Sequence, residues 1–359
     1  MMKRNIEIGL LHSRSGDYSA LAMVARTGIL RGVAEINADP ALDVGFSVVE
    51  RDPEGRLDRY APLCRDMLQN TGVRHIFGCI TSSSRKEVIP ELERFHGALW
   101  YSAPYEGFEA NEHVAYTHSC PNQHLLPLLE FATPRFGNQV CLVGSNYIWG
   151  WEIAQIAREK ISTLGGQILS DRYLPIGDTG LDQILEEIRA LQPDFVVNSL
   201  IGESSYSFLA RLGKMRAEAG NAEMLPVLSC NFTEGEIAAA GTAAEGMYAA
   251  GPFFEQDVVG HGSIAEMSRL AVHELAGYLN ANPGAEMLPL TDLIALAAKQ
   301  GRPLRLDSEN QHASQPVVIA QLRGRKFEEI LRLPEIAADP YWTRRDRSSL
   351  PRSNLRVVS

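Results

Sequence analysis

The chain has 359 residues, 45% of them hydrophobic, and carries a formal net charge of −10 at pH 7. Its length predicts two α/β lobes with sizeable cores. The acidic balance disfavours direct contact with nucleic acid or an anionic membrane, where a basic face is needed.

An apolar run over residues 6–11 reads as the first strand. Lys3 and Arg4 ahead of it faintly imitate a secretory leader. The run is too short for one, carries Glu7 and breaks at His12-Ser13-Arg14. A buried strand fits better, and the chain is expected in the cytoplasm if no leader has been removed. No window approaches the ~18 apolar residues of a membrane span. Residues 18–37 place Leu21, Val24, Ile29, Val33 and Ile36 at helical spacing. Residues 46–49 form the second strand, 58–71 a helix, 73–78 the third strand and 83–96 a helix. Strands at 99–101 and 113–118 follow. At Cys120-Pro121-Asn122 the order restarts. The second set has helices at 123–136, 148–164, 181–188 and 204–219. Its strands lie at 139–144, 168–174, 195–200 and 226–229. Residues 247–254 carry the chain onward, 262–299 are helix-rich, and 303–332 read as short strands with a turn at Gly324.

Two successive β-α sets predict two doubly wound lobes with mainly parallel sheets, joined by a multi-strand hinge. Residues 1–119 with 253–300 make the first lobe, and 120–252 with 301–337 the second. Residues 338–359 read as an extended C-terminal arm over the surface.

Ligands of open α/β sheets sit at the carboxyl ends of strands. Two such ends here carry polar and aromatic groups: Tyr101, Ala103, Pro104 and Tyr105, and then Asn146, Tyr147 and Trp149. Facing rings there would sandwich a small planar molecule. Packing in the core is the competing reading for each ring. Three serines, Ser82, Ser83 and Ser84, open a helix. They serve either as caps or, with unpaired N–H groups, as a cradle for a ligand oxygen. Asn146 is neutral and points to a neutral ligand. Thr233 and Glu236 have the spacing of a capping box. Glu203 reads as a first-turn helix acid. The five cysteines are odd in number and lack a Cys-x-x-Cys, which favours buried reduced thiols over a metal site. No nucleophile elbow, metalloprotease helix or Walker loop occurs. Neither catalytic residues, nor a metal, nor a cofactor are expected.

Several stretches together resemble the type I periplasmic-binding-protein fold: residues 52–55, 58–60, 78–86, 104–109, 121–123, 144–148 and 310–312. They look closest to cytoplasmic regulators of aliphatic amidase expression, which are amide receptors. Pro104-Tyr105-Glu106-Gly107-Phe108-Glu109 is the most specific element. The resemblance implies an acetamide- or urea-like ligand in an interlobe cleft and a partner protein of antiterminator type, and it leaves a homodimer open. It implies that Ser82 meets the ligand oxygen and that Tyr101, Tyr147 and Trp149 wall the pocket. Gly202 and Thr233 would line the second lobe's side. Receptors for urea and short-chain amides share much of the pattern, so a solute-binding protein of an ABC transporter for amides, urea or branched-chain amino acids is the alternative. The chain departs from the family at Ile80 and Trp149, where tyrosines are usual, at Ala103 (threonine) and at Asn146 (aspartate). These changes imply a more apolar pocket. One family helix is missing before residue 262.

Overall fold

β1 (Arg4–Leu11), β2 (Val44–Arg51), β3 (His75–Gly78), β4 (Ala98–Tyr101) and β5 (Val114–Tyr116) form one sheet in the order β2-β1-β3-β4-β5, parallel throughout, in the computed structural model. The structure describes residues 3–218, 225–255, 262–297 and 304–342. β3 and β4 are buried at every position, and β4, Ala98-Leu99-Trp100-Tyr101, accordingly reads as an unbroken run of apolar and aromatic residues. The crossovers carry α1 (Ser19–Ala38), α2 (Tyr60–Asn70) and α3 (Ser82–Phe95). α3 is capped by Thr81, whose hydroxyl accepts from Ser84 N, and not by the serines that follow it.

The second sheet contains β6 (Gln139–Ser145), β7 (Gln167–Leu174), β8 (Phe195–Ser199), β9 (Val227–Ser229) and β10 (Tyr248–Gly251). It is completed by β11 (Arg305–Leu306), β12 (Ala313–Arg323) and β13 (Lys326–Ile336), in the order β11-β12-β10-β9-β8-β6-β7 with β13 paired to β12. Its helices are α4 (Leu125–Phe136), α5 (Ile148–Thr163), α6 (Asp182–Leu191), α7 (Glu203–Glu218) and α8 (Ile237–Ala240). No helix among the described residues is long and apolar enough to cross a membrane.

The region after residue 303 and the tail differ from the sequence reading. The short strands expected over 303–332 are an antiparallel hairpin of two 11-residue strands turning at Gly324. Pro316 hides the continuity of β12; it falls where the ladder slips between Gln315 and Val317, a bulge that tolerates a missing N–H. The first residues of the tail, 338–342, dock against the body of the protein. Pro340 O accepts from Phe108 N at 2.7 Å, Asp339 N donates to Asn122 Oδ1 at 2.9 Å, and the Trp342 ring is buried in the largest core cluster. The rest of the arm, 343–359, and the segment of the missing helix before residue 262 lie outside the described residues.

α9 (Gly262–Ala281) and α10 (Leu290–Ala297) return to the first lobe. α1 lies directly on α9: a Cβ at Gly28 would sit 2.0 Å from Ala265 O, so only glycine permits this approach. Residues 304–313, placed with the second lobe on sequence grounds, contribute Leu304, Leu306 and Ala313 to the first lobe's core. The chain passes between lobes beside β5, where Tyr116 N donates to Gln311 O at 2.9 Å and Gln315 Nε2 donates to Thr117 O at 2.9 Å. These bonds tie the crossings into a hinge.

Candidate functional site

The lobes face each other across the carboxyl ends of both sheets, and they touch. A Cβ at Gly202, just past β8, would lie 2.0 Å from Asp17 O at the mouth of α1. One at Gly235 would lie 2.4 Å from Val24 Cγ2 on α1. These two approaches, one to backbone and one to a side chain of the other lobe, define a closed clamshell.

Inside the contact lies a narrow cleft, partly open to solvent, with about 20 Å³ accessible to the centre of a water-sized sphere. The first lobe contributes Leu21, Ile80, Ser82, Ala103, Pro104 and Ile264 to its wall; the second contributes Tyr147, Trp149, Ile201 and Asn231. Among the described residues, no charged side chain lines it. Five of the residues singled out from the sequence therefore meet here: Ser82, Ala103, Pro104, Tyr147 and Trp149. Both aromatic rings come from the second lobe and oppose aliphatic groups, so the ring-on-ring sandwich expected between two strand ends does not form.

Tyr101, Gly202 and Thr233 are not among the wall residues. Tyr101 is buried behind it, where its hydroxyl donates to Ile80 O at 2.7 Å and its ring lies 4.7 Å from the Arg85 guanidinium carbon. It fixes the wall without being part of it. Gly202 makes the interlobe contact just described. Thr233 N donates to Glu236 Oε2 at 2.9 Å, which forms the carboxylate half of the anticipated capping box. The Thr233 hydroxyl is buried without a hydrogen-bond partner. Asn146 is exposed and accepts from Trp151 Nε1 at 3.0 Å, so its neutrality carries no information about the ligand. Glu203 is exposed in the first turn of α7, as expected of a helix acid. Leu21, Ile201 and Ile264 escaped the sequence reading because an apolar residue at helical or strand spacing looks the same facing a core or a cavity.

Most polar atoms at the cleft are already engaged. Trp149 Nε1 donates to Ser199 O at 3.1 Å, and Asn231 Nδ2 donates to Leu200 O at 3.0 Å. The Tyr147 hydroxyl makes no hydrogen bond to the described residues. Burial pushes its phenol well above the ordinary range, so it stays protonated and able to donate.

Behind Ser82 lies a buried charged cluster. Arg85 is completely buried, with Nη2 2.8 Å from Glu106 Oε1 and Nε 2.7 Å from Glu109 Oε1. Lys86 Nζ donates to Glu109 Oε2 at 2.6 Å, and the Tyr116 hydroxyl donates to Glu109 Oε1 at 2.6 Å. Burial alone would push the Glu109 carboxyl up; the Arg85 charge outweighs it and holds Glu109 at about 2. The Tyr105 ring also lies 4.7 Å from the guanidinium carbon. The distinctive stretch from Pro104 to Glu109 thus builds the layer supporting the cleft, with Pro104 alone reaching the cavity.

The thiols are poor nucleophiles. Burial pushes Cys79 and Cys230 each up to about 12, far from the thiolate that attack requires. Among the described residues, no group of three or more His, Cys, Asp or Glu is placed to hold a metal ion.

The model of the periplasmic binding protein domain family matches residues 6–259. Solved structures share the architecture at low identity. A solute-binding protein of an ABC transporter from Rhodopseudomonas palustris HaA2, in complex with p-hydroxybenzoic acid, has a TM-score of 0.80 at 16% identity, over 95% of this chain and 100% of that one. Another from R. palustris, in complex with benzoate, has a TM-score of 0.80 at 18% identity, over 94% and 98%. A branched-chain amino acid transporter substrate-binding protein from Streptococcus pneumoniae, in complex with isoleucine, has a TM-score of 0.78 at 17% identity, over 92% and 100%. The chain belongs to the periplasmic binding protein domain family, and its fold is the two-lobed type I arrangement.

Proposed function

We propose that this family member is a solute receptor. It grips a small, uncharged, largely apolar molecule with one hydrogen-bonding end between its lobes, and it presents the closed form to a membrane importer. The observation that carries this reading is the interlobe cleft, whose wall is mostly aliphatic and aromatic and, among the described residues, holds no charged side chain. A zwitterionic amino acid would need partners for both an ammonium and a carboxylate, because burying an unpaired charge is costly. The buried acids close in sequence to the wall are spent elsewhere: Glu106 is paired with Arg85. Glu234 accepts from Glu255 N at 2.6 Å, and Glu236 from Thr233 N. The fold's solved relatives that carry hydroxybenzoate, benzoate and isoleucine support a solute-receptor role.

The ligand works by population shift. A molecule touching both lobes favours the closed form by as much as its affinity for the two forms differs. Isothermal titration of ligand-free protein with short amides, urea, benzoates and isoleucine tests the proposal. Binding by neutral members ahead of isoleucine supports it; tight isoleucine binding with no response to neutral compounds overturns it.

A second reading is favoured by the stretch from Pro104 to Glu109, which resembles amide-sensing regulators and packs directly behind the cleft. There the closed form would instead release an antiterminator-type partner in the cytoplasm. Genes for permease and ATPase subunits beside this one would favour the importer. A neighbouring RNA-binding antiterminator that co-purifies with the chain only without ligand would favour the regulator.

A further inference from the structure

We propose that Glu106, a residue outside the cleft wall, selects the ligand's polar end by fixing the direction of the Ser82 proton. The inference rests on the cleft being the ligand site. Ser82 lines the cleft, and its hydroxyl donates to Glu106 Oε2. Glu106 is buried, and its other oxygen accepts from Arg85 Nη2 at 2.8 Å. As the ion-pair partner of a guanidinium, Glu106 is a carboxylate, which accepts hydrogen bonds and has no proton to give. The proton between Ser82 and Glu106 therefore comes from serine. A serine hydroxyl has only one, so Ser82 faces the cleft with lone pairs alone.

This reverses the role drawn from the sequence. Ser82 does not donate to a ligand oxygen; it accepts from a ligand N–H or O–H. A ligand oxygen lacking a proton, placed against Ser82, would meet two acceptors in a dry site, and an unmade buried hydrogen bond is expensive. Oxygen acceptors on the ligand must look instead to the Tyr147 hydroxyl or to the Ser82 and Ser83 N–H groups, which precede the first helical acceptor of α3. The cleft thus requires an uncharged head group with a donor: an amide or a hydroxyl. Glu106 does this as a positioning residue acting through Ser82. Arg85 holds Glu106 in place, and the positive charges of Arg85 and Lys86 balance the negative charges of Glu106 and Glu109, so the ligand meets no net field from behind the wall.

The test uses neutral pairs of nearly equal shape that differ only in the donor. Benzamide and acetophenone form one pair; propanamide and butanone form a smaller one. Calorimetry of the full chain should show each carboxamide binding at least about tenfold tighter than its methyl ketone, a hydrogen bond's worth of discrimination. Ser82→Ala leaves the Arg85–Glu106 ion pair intact and should bring the ratio close to one. Glu106→Gln gives the buried layer a donor that can point at Ser82 and free the serine proton for the cleft. The ketone should then gain on the amide. A change in the ratio is a signature that general loosening of the site would not produce. Ketones that match amides on the native protein, or a Ser82→Ala variant that keeps the preference, would overturn the role of Glu106 while leaving the cleft as a binding site. If all four probes fail to bind, the cleft reading fails, and the inference with it.

Discussion

Replacing Gly202 by alanine should leave the lobes foldable but unable to shut. The new Cβ would sit 2.0 Å from Asp17 O and 2.9 Å from Asp17 C. Relief to a tight but tolerable 3.4 Å requires about 1.4 Å of separation between two backbone segments that belong to different lobes. No side chain can swing aside to provide it. Overpacking of this kind costs about 1–3 kcal/mol, and here the cost falls on the closed form alone. Gly202 also has a φ of +60°, a conformation that penalises any side chain by about 1–2 kcal/mol in the open and closed forms alike. That second penalty lowers stability but cancels from binding. The affinity for a cleft ligand should therefore fall about 5- to 150-fold, towards the upper end because the obstacle is a carbonyl. Gly165→Ala is the matched control: its φ is +75° and nothing lies within 4 Å of its Cβ position. Both variants should melt earlier than the parent; only Gly202→Ala should lose affinity by titration calorimetry and fail to compact with ligand in small-angle scattering. A Gly202→Ala protein that binds and compacts like its parent would refute the argument.

The charged layer behind the cleft makes a stability prediction. Arg85→Met leaves Glu106 and Glu109 buried without their shared partner and should cost about 3–5 kcal/mol in urea denaturation; a cost below about 1 kcal/mol would mean the pair is far better solvated than its burial implies. Stability should peak near neutral pH. Burial pushes Glu234 up to about 7 and Glu236 up to about 8, so the folded form holds protons the unfolded chain has lost, and stability falls as pH rises from about 4.5 through 8. Burial also holds His12 and His118 at about 3 and His75, His124 and His312 at about 4. The unfolded chain therefore takes up protons first, and stability falls as pH drops below about 6.5. Below about 6.5 the five imidazoles outweigh the two carboxyls, which places the maximum near pH 6.5. Unfolding free energies that rise steadily from about pH 6.5 to 8 would contradict this balance. All five cysteines are buried, so a chromogenic disulfide reagent should find no thiol in the native protein at mildly alkaline pH and five after unfolding; prompt labelling of Cys79 or Cys230 would show a more open cleft.

Much of the architecture was legible because buried parallel strands announce themselves. The runs at residues 6–11 and 195–200 are apolar almost without interruption, and their helices repeat at the expected period, as Ile184, Leu185 and Ile188 do on α6. The long hairpin was less visible because β13 is an edge strand, largely exposed and rich in charge, while prolines break both of its strands. At the cleft, polar and aromatic groups at strand ends were conspicuous, and Tyr147, Trp149, Pro104 and Ser82 do reach it. What the residue types could not convey was direction. Tyr101 and Tyr147 end strands in the same manner, yet one ring covers a buried arginine and the other faces the cavity. The commitment of Ser82's proton was equally hidden, because it depends on a glutamate 24 positions later folding back against it.

The seating of α1 on α9 has a consequence for how the molecule is born. The two helices meet through Gly28 and Ala265, positions separated by nearly the whole second lobe. A ribosome delivers the N-terminal sheet early, but the helix that covers α1 arrives only after the second lobe's first five strands have been made. Until then the glycine-bearing face of α1 has no cover and must wait beside an unfinished neighbour. The amino-terminal half cannot mature as an independent unit during synthesis, and a transcript truncated before codon 262 would yield a chain with one permanently naked flank, a natural client for chaperones and proteases.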